Sequence, residues 1–290
     1  MFIKFELVKT NYPRMKKVLL LVAFIGFLSA FAPQKEKTWM AIGDSITFLD
    51  TRPELTKNRI TKGYMSRVVE KLPYLKFANK GYPGWTIKAI ADNINNLNLE
   101  KADFYTVFLG TNDWWTNLPI GTYDDYKNAT GNATAYGSYR TVVDKIRSLN
   151  DHAVIIFITP FQRTDYVDIN NIHSTIHGDY KPNNSGVLLS AYADAIKDIA
   201  QKEHFELVDL YYKSGANLTN AVNFKRMRDP KTGEYKNYKY PDYIDIPLNP
   251  DKDDYPYPID AMNWVYDGLH PSDKGHQRIA DMLVNIMKKY

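Results

Sequence analysis

Short apolar runs alternate with stretches of helical periodicity along this chain, and no other feature narrows its fold so far. Residues 39–42, 75–78, 104–109, 154–158 and 205–210 read as strands. The run 154–158 is apolar throughout, as expected of a strand covered on both faces. Between the strands, the spacing predicts helices over 63–72, 87–97, 139–149 and 188–201, and a last one from Ser272 to 287. Thr86 and Ser272 are suited to cap two of them. Strands separated by helices of this length imply a parallel sheet with helices on both faces, an α/β sandwich of three layers. Sites in such folds lie at the carboxyl ends of the strands.

The N-terminus is a separate matter. Residues 1–32 carry Lys4, Lys9, Arg14, Lys16 and Lys17 against Glu6 alone, which accounts for the whole formal charge of +4. The rest of the chain is neutral, so its composition does not point to a nucleic-acid surface. After Met15-Lys16-Lys17 comes an uncharged, mostly apolar stretch over 18–32, ending in Ala30-Phe31-Ala32. It is shorter than the roughly 20 residues a membrane span needs. It has the form of a secretory signal. The expectation is a signal peptide over 1–32, with Met15 as an alternative start. A single domain would then cover 33–290, and the protein would be exported to a periplasmic or extracellular space. With no cysteine, disulfides, thiolate metal sites and a cysteine nucleophile are excluded.

Four short segments at strand ends or helix starts carry polar chemistry. Gly43-Asp44-Ser45 follows the first strand, where an open sheet presents a nucleophile. Asn79-Lys80-Gly81-Tyr82-Pro83-Gly84 follows the second, where a glycine can offer its backbone N–H. Gly110-Thr111-Asn112-Asp113 follows the third, with an amide able to donate to developing negative charge. Asp267-Gly268-Leu269-His270 precedes the last helix, at a spacing that lets a carboxylate hold one imidazole nitrogen while the other faces outward. Each alone also reads as a turn or a cap.

Taken together and in this order, they resemble the SGNH hydrolases, also called the GDSL esterase/lipase family. Gly43-Asp44-Ser45 is similar to that family's first block, Gly81 to its second, Gly110-Thr111-Asn112-Asp113 to its third and Asp267-x-x-His270 to its fifth. The likeness runs from about Trp39 to the C-terminal helix. It implies a flavodoxin-like sheet of about five parallel strands. It also implies Ser45 as nucleophile, His270 as general base and Asp267 as the group orienting it. The oxyanion hole would comprise the N–H groups of Ser45 and Gly81 and the side chain of Asn112. No metal or organic cofactor is expected. The chemistry agrees: a serine hydroxyl attacks poorly unless a base takes its proton, and preplaced donors stabilise the tetrahedral oxyanion more than the ground-state carbonyl. Asp44 and Asp113 are expected to brace their own turns.

Other clusters are weaker. His173 and His177 are four apart but lack a third ligand, and Asn249, Asp251, Asp253 and Asp254 lack the glycine of a calcium loop. Three long segments, 114–136, 161–186 and 211–265, are rich in Tyr, Asn, Asp and Pro and read as elaborations around the site. Trp85, Trp114, Trp115 and Trp264 fall near the four segments in sequence, where flat rings would suit the C–H face of a sugar. The functional expectation is an exported serine esterase removing short acyl groups, acetyl first, from carbohydrates. The alternatives are a lipase or lysophospholipase and a non-catalytic glycan-binding protein on the same scaffold. The partner is a small acyl ester or acylated glycan, with no nucleic acid and no stable membrane insertion after signal cleavage.

Overall fold

Five parallel strands form the centre of the computed structural model, which describes residues 35–290. They are β1 (Lys37–Gly43), β2 (Leu75–Gly81), β3 (Phe104–Phe108), β4 (Val154–Ile158) and β5 (Glu206–Val208). Their spatial order is β2-β1-β3-β4-β5, and every neighbouring pair is parallel. The chain therefore winds outward from β1 in both directions, the doubly wound arrangement with a topological switch between β1 and β3. Residues 37–290 form one compact unit. The expected leader over 1–32 lies outside the described residues.

Alternation along the strands builds two cores. Met40, Ile42, Tyr105 and Val107 pack against α2 (Ile87–Asp92), α3 (Ala135–Leu149) and α4 (Leu189–Glu203). Trp39, Ala41, Phe104 and Phe108 point the other way, onto α1 (Tyr64–Lys71) and α5 (Asp273–Met287). Successive residues of a strand face opposite sides, so the inner strands must be apolar on both. The three-layer α/β/α reading of the sequence is the architecture found.

The differences from expectation lie at element ends. β2 runs through Asn79 and Lys80, which pair with Ala41 and Ile42. Polar residues are tolerated there because β2 is an edge strand. α2 stops at Asp92, five residues early. Asn93 donates its side-chain amide back to Ala89 O at 3.0 Å, and such local side-chain bonds compete with the helix. β5 ends at Val208 because the Asp209 carboxylate accepts the Tyr212 N–H and starts a short helix, Leu210–Lys213. Within the long segments, Tyr166–Val167 and Thr175–Ile176 form a small antiparallel ladder, as do Lys225–Arg228 and Tyr235–Tyr238. No helix among the described residues is long and apolar enough to cross a membrane.

Candidate active site

β1 ends at Gly43, and Asp44 turns the chain into the one-turn helix Ser45–Phe48, its Oδ1 accepting the Ile46 N–H at 3.0 Å. Ser45 is the first residue of that helix, so its own N–H has no intrahelical acceptor. Burial pushes the Asp44 carboxyl up to about 6, against the pull of the Ile46 bond and of His270.

The other half of the site arrives 225 residues later. Ser45 Oγ lies 2.8 Å from His270 Nε2, and His270 Nδ1 lies 2.7 Å from Asp267 Oδ2. A carboxylate only accepts, so Nδ1 carries the proton and Nε2 turns its lone pair to the serine hydroxyl. The second oxygen, Oδ1, accepts the backbone N–H groups of Leu269 (3.0 Å) and His270 (2.7 Å), so Asp267 fixes both the loop and the ring. Tyr166 meets the imidazole edge-on at 5.6 Å and Tyr266 stacks on it at 5.8 Å. These rings cover part of the imidazole and leave it facing the cavity over Ser45. Burial pulls the His270 pKa down, but the Asp267 charge and hydrogen bond, with Asp44 and Asp168 behind them, bring it above the ordinary value of 6.5.

The expected oxyanion donors need revision. The Gly81 N–H donates to Asn79 Oδ1 at 2.9 Å and is already engaged. Gly81 serves close packing instead: a Cβ there would sit 2.2 Å from Phe48 N and 2.8 Å from Thr47 C. The free donor is three residues on. Tyr82 to Trp85 is a turn closed by the Trp85 N–H on Tyr82 O at 3.1 Å, with Pro83 and Gly84 in the middle. Gly84 has φ +76°, the left-handed value that the third residue of a type II turn requires. Among the described residues its N–H has no acceptor, and no atom lies within 4 Å of where a Cβ would stand. The Pro-Gly pair is a turn signal that the sequence carries openly.

Asn112 stands behind this turn. Its Nδ2 donates to Trp85 O at 3.0 Å, which leaves one of its two amide hydrogens. Asp113 ties the same segment from the next position, its Oδ1 accepting the Ile87 N–H at 2.8 Å. Asp113 Oδ2 is buried without a partner, and burial pushes the carboxyl up to about 7. Asp44 braces its own turn as expected, whereas the Asp113 bond reaches across to the start of α2.

A cavity of about 290 Å³ opens over Ser45 and His270. Its walls include Phe48, Leu49, Leu55, Pro83 and Ile169, with Asp168 and Asn170 as polar members. Two bonds tie its outer edge together: Lys57 Nζ to Ile169 O at 2.7 Å and Asn170 Nδ2 to Leu55 O at 3.2 Å. None of the four expected tryptophans lines it. Trp114 is 1% exposed; its Nε1 donates to Val187 O, and Arg163 lies over its ring. Trp264 packs on the α1/α5 core under Lys274. Neither has a free face, which corrects the expectation for both. Trp85 is partly covered by Tyr82, stacked at 4.5 Å. Trp115 alone is widely exposed, at 41%. Sequence reasoning missed Tyr166, Tyr266 and Asp168, because aperiodic segments give no register by which to aim a side chain.

His173 and His177 do not converge on a common point with a third ligand. His173 faces Asp251 at 3.5 Å, while His177 Nδ1 bonds Gly178 O. Among the described residues, no group of three His, Asp or Glu side chains could hold a metal ion.

A family model for GDSL-like lipases and acylhydrolases matches residues 41–278, which includes every residue of the Ser45–His270–Asp267 relay. The chain belongs to this family. The crystal structure of a possible lipase from Chitinophaga pinensis is 49% identical to this GDSL-family protein, with a TM-score of 0.86 over 88% of this chain and 98% of that one. A Lactobacillus plantarum protein, 20% identical, shares the fold with a TM-score of 0.57 over 89% of this chain and 99% of its own. A search of curated proteins gives no match. The family is one of ester-hydrolysing enzymes, and this member is an ester hydrolase.

A pH profile follows from the His270 environment. Its ring can accept a proton from Ser45 only while Nε2 is unprotonated, so kcat/KM should rise with pH through the His270 pKa. That pKa lies above 6.5, so the acid limb should fall there too. A limb centred below pH 6 in a profile on a neutral aryl ester would contradict this.

Proposed function

We propose that this GDSL-family hydrolase is an exported serine esterase that removes short O-acyl groups, acetyl first, from carbohydrates. Ser45 Oγ attacks the ester carbonyl as His270 Nε2 takes its proton. The oxyanion that forms is held by the N–H groups of Ser45 and Gly84 and by the second amide hydrogen of Asn112. His270 then protonates the departing alcohol, leaving an acyl-Ser45, and water activated by His270 releases the acid. Asp267 stabilises the imidazolium in both half-reactions.

The 2.8 and 2.7 Å relay from Ser45 to Asp267 carries the serine-esterase part. The short acyl group is supported by the two bonds that tie the outer edge of the cavity. Export rests on the basic-then-apolar leader. A second reading, a lipase-like acylhydrolase, is favoured by Leu49, Leu55 and Ile169 in the wall, Leu55 being 47% exposed.

A panel of p-nitrophenyl esters of rising chain length, run beside acetate release from acetylated xylan, pectin and sialoglycans, separates the two. The expected result is a kcat/KM that is highest for acetyl or propionyl and falls with length. A maximum at eight carbons or beyond, or turnover of lysophospholipids, would favour the second reading.

A further inference from the structure

Beside the catalytic cavity lies another, of about 210 Å³, walled in part by Trp115, Thr175, Ile176, His177 and Asn184. A single ring joins the two. Tyr166 borders the catalytic cavity and meets His270 edge-on at 5.6 Å. It also meets Trp115 at 6.4 Å. Two ring contacts therefore separate the base from the exposed face of Trp115.

The floor of this second cavity is internally satisfied. Trp114 donates to Val187 O, and Asn183 donates to Trp114 O at 2.8 Å while accepting from the Ser185 and Val187 N–H groups. The rim is not. Among the described residues, the Thr175 hydroxyl, the Asn184 amide and His177 Nε2 have no protein partner. His177 Nδ1 lies 3.0 Å from Gly178 O, and a carbonyl only accepts, so that nitrogen carries the proton. Nε2 is left as an acceptor with no hydrogen-bond partner among the described residues, on a ring that meets Trp114 edge-on at 5.2 Å. No Lys, Arg, Asp or Glu lines this cavity.

An uncharged wall with one aromatic face, one fixed acceptor and two groups that both donate and accept suits a neutral polyhydroxyl ring with an apolar face. A carboxylate, phosphate or ammonium ligand would be desolvated there with no counter-charge. A long acyl chain would strand the open polar groups.

We propose that this second cavity is the alcohol-side subsite of the esterase. It binds one pyranose ring of the acylated substrate, with Trp115 beneath the ring and His177 Nε2 accepting from a sugar hydroxyl. The proposal rests on the carbohydrate-ester reading and adds the place where the sugar sits. Tyr166 then stands between the ester carbonyl at Ser45 and a sugar ring further along the glycan.

The test compares wild type, Trp115→Ala and Thr175→Val on p-nitrophenyl acetate and on O-acetylated xylo-oligosaccharides. The expected result is that the ratio of kcat/KM for the acetylated sugar to that for the aryl ester falls about tenfold in Trp115→Ala, mainly through KM, and less in Thr175→Val. Both replaced side chains are exposed, and the ratio cancels any loss of folded enzyme. An unchanged ratio, including a parallel drop on both esters, overturns the subsite while leaving the carbohydrate-ester reading in place. Wild type that turns over the aryl ester but none of the acetylated sugars instead overturns that reading, and the subsite with it.

Discussion

Ser45→Ala is expected to reduce kcat on p-nitrophenyl acetate by about 10⁶-fold, to the edge of detection, as removal of a serine nucleophile does elsewhere. The residual rate would come from the donors of Ser45 N–H and the Gly84 turn, which remain. The fold should survive. Ser45 is only partly buried, and its side chain makes the one bond to His270, worth about 1 kcal/mol net. The check pairs the steady-state rate with a thermal melt and with fluorophosphonate labelling. Wild type should label and the variant should not. Turnover within tenfold of wild type by the well-folded variant would remove Ser45 from the reaction.

Asp267→Asn should be nearly as damaging, for a reason visible in the bonds. Oδ1 of Asp267 accepts two backbone N–H groups, and Oδ2 accepts from His270 Nδ1. In an asparagine, the oxygen must stay on the backbone side to keep those two bonds. The NH₂ then faces Nδ1 and makes it an acceptor, which moves the ring proton to Nε2. A protonated Nε2 cannot take the serine proton. The expected cost is about 10⁴-fold in kcat with little change in KM, the size of effect a misplaced tautomer has in a serine-histidine-aspartate site. A fall of less than tenfold would show that the carboxylate does no more than shape its loop.

How much of this was legible beforehand depended on periodicity. The strands of the central sheet were readable because a strand buried on both faces leaves a dense apolar run, as 154–158 does. The residues at their carboxyl ends followed, since the chain must turn there. Gly81 and Gly84 could not be told apart by spacing, because both follow the apolar run 75–78. The bond from Gly81 to Asn79, the crowding around Gly81 and the open turn at Gly84 distinguish them in the structure. The tryptophan pair shows the same limit. Trp114 and Trp115 are neighbours in a five-residue helix, and the roughly 100° between successive helical residues buries one and exposes the other. So short a helix gives no moment by which to predict which. The segment 161–186, which supplies Tyr166 and Asp168, has no repeat of two or 3.6 to read.

The separation of 225 residues between Ser45 and His270 has a bearing on how the protein comes to life. A growing polypeptide presents its nucleophile early and its base near the very end, and the base is seated only when α5 docks on α1 and the far side of β1. An intermediate short of that docking lacks the assembled Ser45–His270 pair. Turnover is therefore an assay of completed folding.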